Sequence, residues 1–66
     1  MKWKITTYFT DFEGTQDSVT DYFSSNVKHA KRTKKSVEML NELMVKLKIF
    51  QNYKVVLEKS NKYERG

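Results

Sequence analysis

The residues best placed to do chemistry in this sequence are basic. Within residues 26–36, cations recur at spacings of three and four; they are Lys28, Lys31, Arg32 and Lys35. On an α-helix this spacing puts the four side chains along one exposed stripe, which we call the basic ridge. The first turns of a helix carry partial positive charge, so each cation there costs roughly a few tenths of a kcal/mol. The basic ridge therefore predicts contact with an anionic partner, either phosphate groups or the carboxylates of a protein.

Catalytic and metal-binding arrangements are weakly represented. His29 is the only histidine and cysteine is absent, so no Cys–His pair, Ser–His–Asp triad or imidazole metal site can be assembled. The acidic residues near the first predicted turn lack the spacing of a calcium loop; they are Asp11, Glu13, Asp17 and Asp21. Gly14 alone is too little glycine for a phosphate-binding loop. We therefore expect a protein that is not an enzyme and that uses no metal and no cofactor.

Length and composition narrow the class further. A chain of 66 residues forms one small domain, which we place at residues 1–60, followed by a frayed tail at 61–66. We see neither a signal peptide nor an apolar run near the roughly 20 residues that span a bilayer, so we expect a cytoplasmic protein without membrane contact. Residues 26–66 hold eleven of the thirteen bases but only four of the eight acids. Charge segregated in this way favours association with acidic partners.

Two strands are predicted before the basic ridge. Residues 2–10 alternate apolar with polar side chains, the period of a half-buried β-strand. The inward set is Trp3, Ile5, Thr7 and Phe9. Gly14 can take a positive φ, so residues 11–16 predict a turn. Residues 17–24 fit either a strand or a short helix capped by Asp17, and the first strand's need for a hairpin partner favours the strand.

A long amphipathic helix is predicted next. It begins at Ser25 or Asn26, either of which can cap it, and it ends near Lys48. Apolar residues recur along it at steps of three and four and are expected to face a sheet. They are Val27, Ala30, Val37, Leu40, Leu43, Met44 and Leu47. An alternative is a break at which Thr33 or Ser36 caps a second helix.

The last predicted element is a strand. Residues 49–59 indicate a turn around Gln51 and Asn52 followed by alternating apolar residues. The inward set is Tyr53, Val55 and Leu57. Together the elements predict an α+β fold: a small two-layer domain of order β-β-α-β, with a three-stranded antiparallel sheet and one long helix packed on one face.

Aromatic side chains on the sheet add to the predicted binding surface. Tyr8 and Lys4 are predicted to lie on the sheet face that the helix leaves uncovered. Trp3 is added to the predicted binding surface because nine aromatic residues cannot all fit beneath one helix. Tyrosine and tryptophan at a surface supply contact area at low entropic cost. The predicted partner-binding residues are therefore Lys28, Lys31, Arg32, Lys35, Tyr8, Lys4 and Trp3.

A short, cysteine-free chain without a catalytic arrangement is typical of stoichiometric inhibitors made by phages and mobile elements. We expect such an inhibitor or regulator, docking on an acidic surface of a host protein in the host cytoplasm. The alternative is a small DNA- or RNA-binding protein that uses the basic ridge on phosphates. Arginine, on which base readout depends most, occurs only at positions 32 and 65, which weighs against that alternative. A homodimer formed through the uncovered sheet face is a further alternative.

Overall fold

The strand β1 (Lys2–Asp11) occupies the centre of a three-stranded sheet. The computed structural model describes residues 1–60 and orders the strands β2-β1-β3, with β2 at Gln16–Ser24 and β3 at Phe50–Lys59. Both outer strands are antiparallel to β1. The predicted α+β class and β-β-α-β order are confirmed. The tail predicted at 61–66 lies outside the described residues.

A tight turn joins β1 to β2. The Asp11 side-chain oxygen Oδ1 accepts hydrogen bonds from the backbone N–H groups of Glu13 and Thr15, each at 2.9 Å. Gly14 has a φ of 88°, a conformation that costs little only when no Cβ is present. Residues 17–24 therefore lie in a strand, the favoured one of the two predicted alternatives.

The helix α1 (Val27–Lys46) is continuous over 20 residues, so the alternative of a second helix capped by Thr33 or Ser36 is wrong. Asn26 caps the helix, and its side-chain oxygen accepts the N–H of His29 at 2.7 Å. Thr33 instead donates its hydroxyl to the His29 carbonyl within the helix, at 3.0 Å. Asn26 thus satisfies one of the backbone donors that every helix start leaves open.

The connection from α1 to β3 is shorter than predicted. Lys48 has a φ of 62°, and the N–H groups of Lys48 and Ile49 donate to carbonyl groups of the last helical turn at 3.0 and 2.9 Å. A left-handed residue at this place ends a helix and reverses the chain. β3 consequently begins at Phe50, and the turn predicted around Gln51 and Asn52 is wrong.

The two faces of the sheet differ in what lies on them. The register pairs Ile5 with Leu57 and Phe9 with Tyr53, so these side chains share one face. We call this the covered face because α1 packs on it, mainly over β3. The Tyr53 hydroxyl donates to a carboxylate oxygen of Glu42 on the helix at 3.0 Å. The buried apolar residues among those described are Trp3, Ile5, Ala30 and Val55, which is a small core.

The helix is rotated relative to the predicted orientation. The inward residues are Ala30, Val37, Asn41 and Met44. Leu40, Leu43 and Leu47 are instead 59%, 50% and 61% exposed, and Val27 is exposed as well, so the prediction that these four residues face the sheet is wrong. The helix therefore carries a second apolar stripe that the sheet does not cover.

Close packing gives a physical reason for this rotation. Ala30 is fully buried, and its short side chain lets the helix backbone lie near the sheet. Asn41 can also be buried on this side because its Nδ2 donates to the Val37 carbonyl at 2.8 Å. Since α1 rests mainly on one outer strand, only one of its two stripes is covered.

The rotation can be tested by stability. We expect Leu43→Ala to change the free energy of unfolding by less than about 0.5 kcal/mol, because the side chain is half exposed and alanine favours helix. Ile5→Ala should lose about 2–5 kcal/mol, because Ile5 is buried in the central strand. Urea denaturation measures both changes. Similar losses for the two variants would show that Leu43 faces the core.

The cap at Asn26 gives a second stability prediction. Asn26→Ala should lower the free energy of unfolding by about 1 kcal/mol, because the His29 N–H then lacks its partner. Asn26→Asp should keep that bond and place a negative charge at the helix start, so it should be at least as stable as the native chain. Thermal unfolding followed by circular dichroism compares the three proteins. Equal midpoints would contradict a capping role.

Candidate binding surface on the helix

The four cations of the basic ridge lie on the solvent side of α1. All four are exposed, and none forms an ion pair within residues 1–60. The ion pair that α1 does contain joins Lys34 to Glu38 at 3.8 Å and involves none of these four side chains. The first turn holds no acidic residue, so the partial positive charge of the helix end adds to the ridge. The structure thus brings Lys28, Lys31, Arg32 and Lys35 together along one stripe, as their spacing predicts.

Beside the basic ridge, α1 exposes a run of large apolar side chains. Leu40, Leu43 and Leu47 follow the spacing i, i+3, i+7, so they lie on one side of the helix. Met39 is exposed between them and the ridge. We call these four residues the leucine flank. Full burial of one leucine is worth about 1.5–3 kcal/mol, so a partner that covered the flank would gain several kcal/mol.

Cations border the leucine flank on its outer side. Arg32 of the basic ridge, Met39 of the leucine flank and Lys46 recur at intervals of seven residues, so they follow one line along the helix beside the leucines. Arg32 and Lys46 are both exposed. We call these two residues the cationic margin. An apolar stripe with cations along its margin selects a partner by charge as well as by shape.

A groove of about 410 Å³ connects the two parts of this surface. It is lined by Lys35, Glu38, Met39, Glu42, Leu43, Lys46 and Tyr53. Lys35 belongs to the basic ridge, whereas Met39 and Leu43 belong to the leucine flank. One partner can therefore contact the end of the ridge and the apolar side chains together.

The acidic residues of α1 lie toward β3 and are already engaged. Glu38 pairs with Lys34, and Glu42 accepts the hydrogen bond from Tyr53. That bond raises the pKa of Tyr53 above its usual value of 10.0, and burial and the charges of Glu42 and Glu38 act in the same direction. Both carboxylates line the same groove as Lys35, Met39 and Lys46, so the acids beside the leucine flank are ones that already have a partner.

The contact between Tyr53 and Glu42 predicts a titration. Glu42→Gln should lower the pKa of Tyr53 toward the usual value, because a neutral amide favours the protonated phenol less than a carboxylate does. A pKa raised by folding means that the contact stabilises the fold below about pH 10 and is lost as the pH rises through the folded-state pKa. Tyrosinate absorbance against pH measures the shift, and Tyr53→Phe identifies which titration belongs to this residue. A titration unchanged in Glu42→Gln would contradict the hydrogen bond.

Tyr8 and Lys4 lie on the opposite side of the sheet from α1. The register places both on the uncovered face, where Tyr8 is exposed and Lys4 is half-buried. Between them Thr6 is buried, with its hydroxyl oxygen 3.3 Å from that of Thr20. A single flat partner surface cannot contact this face and the basic ridge at once. The structure therefore divides the predicted site into two separate regions.

Trp3 belongs to neither region. It is 7% exposed, and its Nε1 donates to the carbonyl of Ser25 at 3.1 Å. The prediction that Trp3 contacts a partner depended on an exposed indole, and its burial corrects that prediction. Alternation along β1 already places Trp3 with Ile5 on the covered face. The indole instead connects β1 to the segment just before the helix, and so helps to position the basic ridge.

The part of the covered face that belongs to β2 is open to solvent. Val19 is exposed there, and Asp17 and Asp21 on either side of it share its face and are exposed too. α1 does not extend over these residues because it packs mainly on β3. Acidic groups on β2 and cations on α1 thus divide the molecule by charge, in line with the segregation seen in the sequence.

The leucine flank is the surface feature that the sequence pattern failed to predict. The steps of three and four assigned every apolar residue of the helix to one inward face. A signal was present nevertheless, because Ala30 and Val37 recur at seven residues, whereas Leu40, Leu43 and Leu47 form a separate series. Two series on one helix indicate two apolar sides, of which a single sheet covers one.

No family model, curated protein or solved structure matches the chain. Within the part of the chain that the structure describes, no group of three or more His, Cys, Asp or Glu side chains could hold a metal ion. Nor does any helix among residues 1–60 combine the length and apolar character needed to cross a membrane.

Proposed function

We propose that the chain is a non-enzymatic binding protein that docks on an acidic surface of another protein through α1. The observation that supports this most strongly is the leucine flank, exposed directly beside four cations that have no ion-pair partner within residues 1–60. Apolar patches rimmed by polar residues mark interaction sites on soluble proteins. Their exposure also weakens the isolated chain, since the same side chains add little to its small core.

The two parts of the surface have different roles in this proposal. The leucine flank supplies affinity, because its burial removes apolar surface from water and slows dissociation. The basic ridge supplies partner choice and speed of association, because rim charges act mainly on the encounter. Tyr8 and Lys4, on the other side of the sheet, are not part of this docking surface.

Docking without catalysis is how a stoichiometric inhibitor or regulator acts. An origin in a phage or mobile element, with a host protein in the cytoplasm as the target, stays a prediction from the sequence. The first experiment on it is affinity purification of the tagged protein from a candidate host, with and without nuclease, followed by kinetic measurements on the captured partner.

Nucleic acid is the second candidate partner, and the exposed, unpaired ridge is the observation that favours it. Four phosphate contacts would give a log–log salt slope of about −3.6. Binding to phosphates would leave the leucine flank uncovered, however, and Arg32 is the single arginine of the ridge. We favour a protein partner because it uses both parts of the surface.

Charge reversal of the ridge tests the proposed function. Combined Lys28→Glu, Arg32→Glu and Lys35→Glu should slow association by about tenfold or more at low salt and by much less at high salt, because steering is screened. Lys54→Glu with Lys59→Glu removes two exposed cations from β3 and should have a much smaller effect. Surface plasmon resonance separates the association and dissociation rates. If nuclease treatment abolishes capture of the partner, the partner is held through nucleic acid. If the triple variant retains the partner as well as the native chain does, the proposal is refuted.

A further inference from the structure

We infer that the element of the partner that docks here is an acidic amphipathic helix, which lays its apolar stripe on the leucine flank and its carboxylates against the cationic margin. The inference rests on the proposed function and specifies the chemistry of the partner. It is carried by three features of the surface: the spacing of its apolar residues, the sign of its margin and the position of the chain's own acids.

The spacing of the flank matches a helix better than an extended segment. Leu40 and Leu47 are seven residues apart on α1, which is about 10 Å along the helix axis. A second helix presents three apolar side chains over that distance at the spacing i, i+3, i+7. Side chains on one face of a strand are about 7 Å apart, so a strand presents at most two apolar side chains over the same distance. Only a helix can oppose an apolar side chain to each leucine.

The positive charge of the cationic margin indicates that the partner helix is acidic. Arg32 and Lys46 border the flank, Lys35 lies close by in the groove, and none has an ion-pair partner within the described residues. A helix seated on the leucines brings the positions next to its own apolar stripe within reach of these cations. Acidic residues there form charge-assisted contacts, whereas basic residues there are repelled.

A second copy of this chain satisfies the apolar requirement but not the charge requirement. Two copies that paired their leucine flanks would bring two cationic margins alongside each other, and the carboxylates of the adjoining groove already contact other residues. The helical acids, Glu38 and Glu42, lie toward β3 and contact Lys34 and Tyr53. The formal charge of +5 on each chain also opposes their approach. The surface therefore fits a helix from a different, acidic protein.

Synthetic peptides test the inference directly. The probe is a peptide of about 18 residues with leucine at i, i+3, i+7 and i+10 and glutamate at the adjoining helical positions. One control has the same composition with leucine and glutamate alternating, and a second replaces every glutamate by lysine. We expect the probe to bind with a micromolar Kd by fluorescence anisotropy, and both controls to bind at least about tenfold more weakly.

Variants of the protein locate the binding. Leu40→Ser with Leu43→Ser should weaken binding of the probe by more than about tenfold without unfolding the chain, because both side chains are exposed. Val19→Ser, an exposed apolar residue on β2, is the matched control and should bind normally. Arg32→Glu with Lys46→Glu should weaken binding of the glutamate peptide and strengthen binding of the lysine peptide. Circular dichroism confirms that each variant is folded.

Several outcomes would overturn the inference. Equal binding of the helical and alternating peptides would remove the requirement for a helix. If the native chain self-associates in sedimentation experiments and Leu40→Ser with Leu43→Ser abolishes this, the flank binds a second copy. Binding of anionic vesicles or oligonucleotides but not of the probe would assign a lipid surface or nucleic acid. If the probe fails but capture of a partner protein still depends on Leu43, the inference fails and the proposed function stands; if that dependence is absent too, both fail.

Discussion

A single outer strand supports most of α1, so the sheet can bury only one stripe of a helix that has two. The stripe that it buries includes Ala30 and Asn41, which are small or internally satisfied, so the helix lies close to the sheet. The larger side chains of the leucine flank remain in water. Because residues 1–60 bury only one of the two stripes, the leucine flank is left available to another molecule.

The start of the helix determines where its charge lies. The Trp3 indole N–H donates to the carbonyl of Ser25, and Asn26 caps the first turn. These two hydrogen bonds position the beginning of α1. Four cations lie within the first three turns of α1, and in the first turn an acidic residue would stabilise the helix better. Local contacts of this kind allow an electrostatically unfavourable arrangement to persist. The ridge is therefore not explained by a contribution to helix stability.

Local patterns predicted the elements of this fold well, because each depends on residues that are near one another in sequence. Alternation in β1, the free φ of Gly14 and the cap at Asn26 all act over a few residues, and the structure confirms each of them. The basic ridge was predictable for the same reason, since it needs only helical spacing.

The predictions that failed depend on packing between elements. Periodicity shows that a helix is amphipathic, but it cannot choose between two overlapping apolar stripes, so Leu40 and Leu43 were assigned to the core. The burial of Trp3 depends on where the chain turns after β2, and the early start of β3 depends on Lys48 taking a left-handed conformation that a lysine rarely adopts. None of these three features can be predicted from a few neighbouring residues, because each depends on contacts between separate elements.

The small core and the exposed flank together couple stability to binding. A partner that binds only the folded chain stabilises it by about 2.7 kcal/mol when present at about one hundred times its Kd. For a domain with four buried apolar residues among those described, a gain of that size is a large part of its total stability. Mutations that improved burial of the leucines within the monomer would strengthen the fold and remove the surface at the same time.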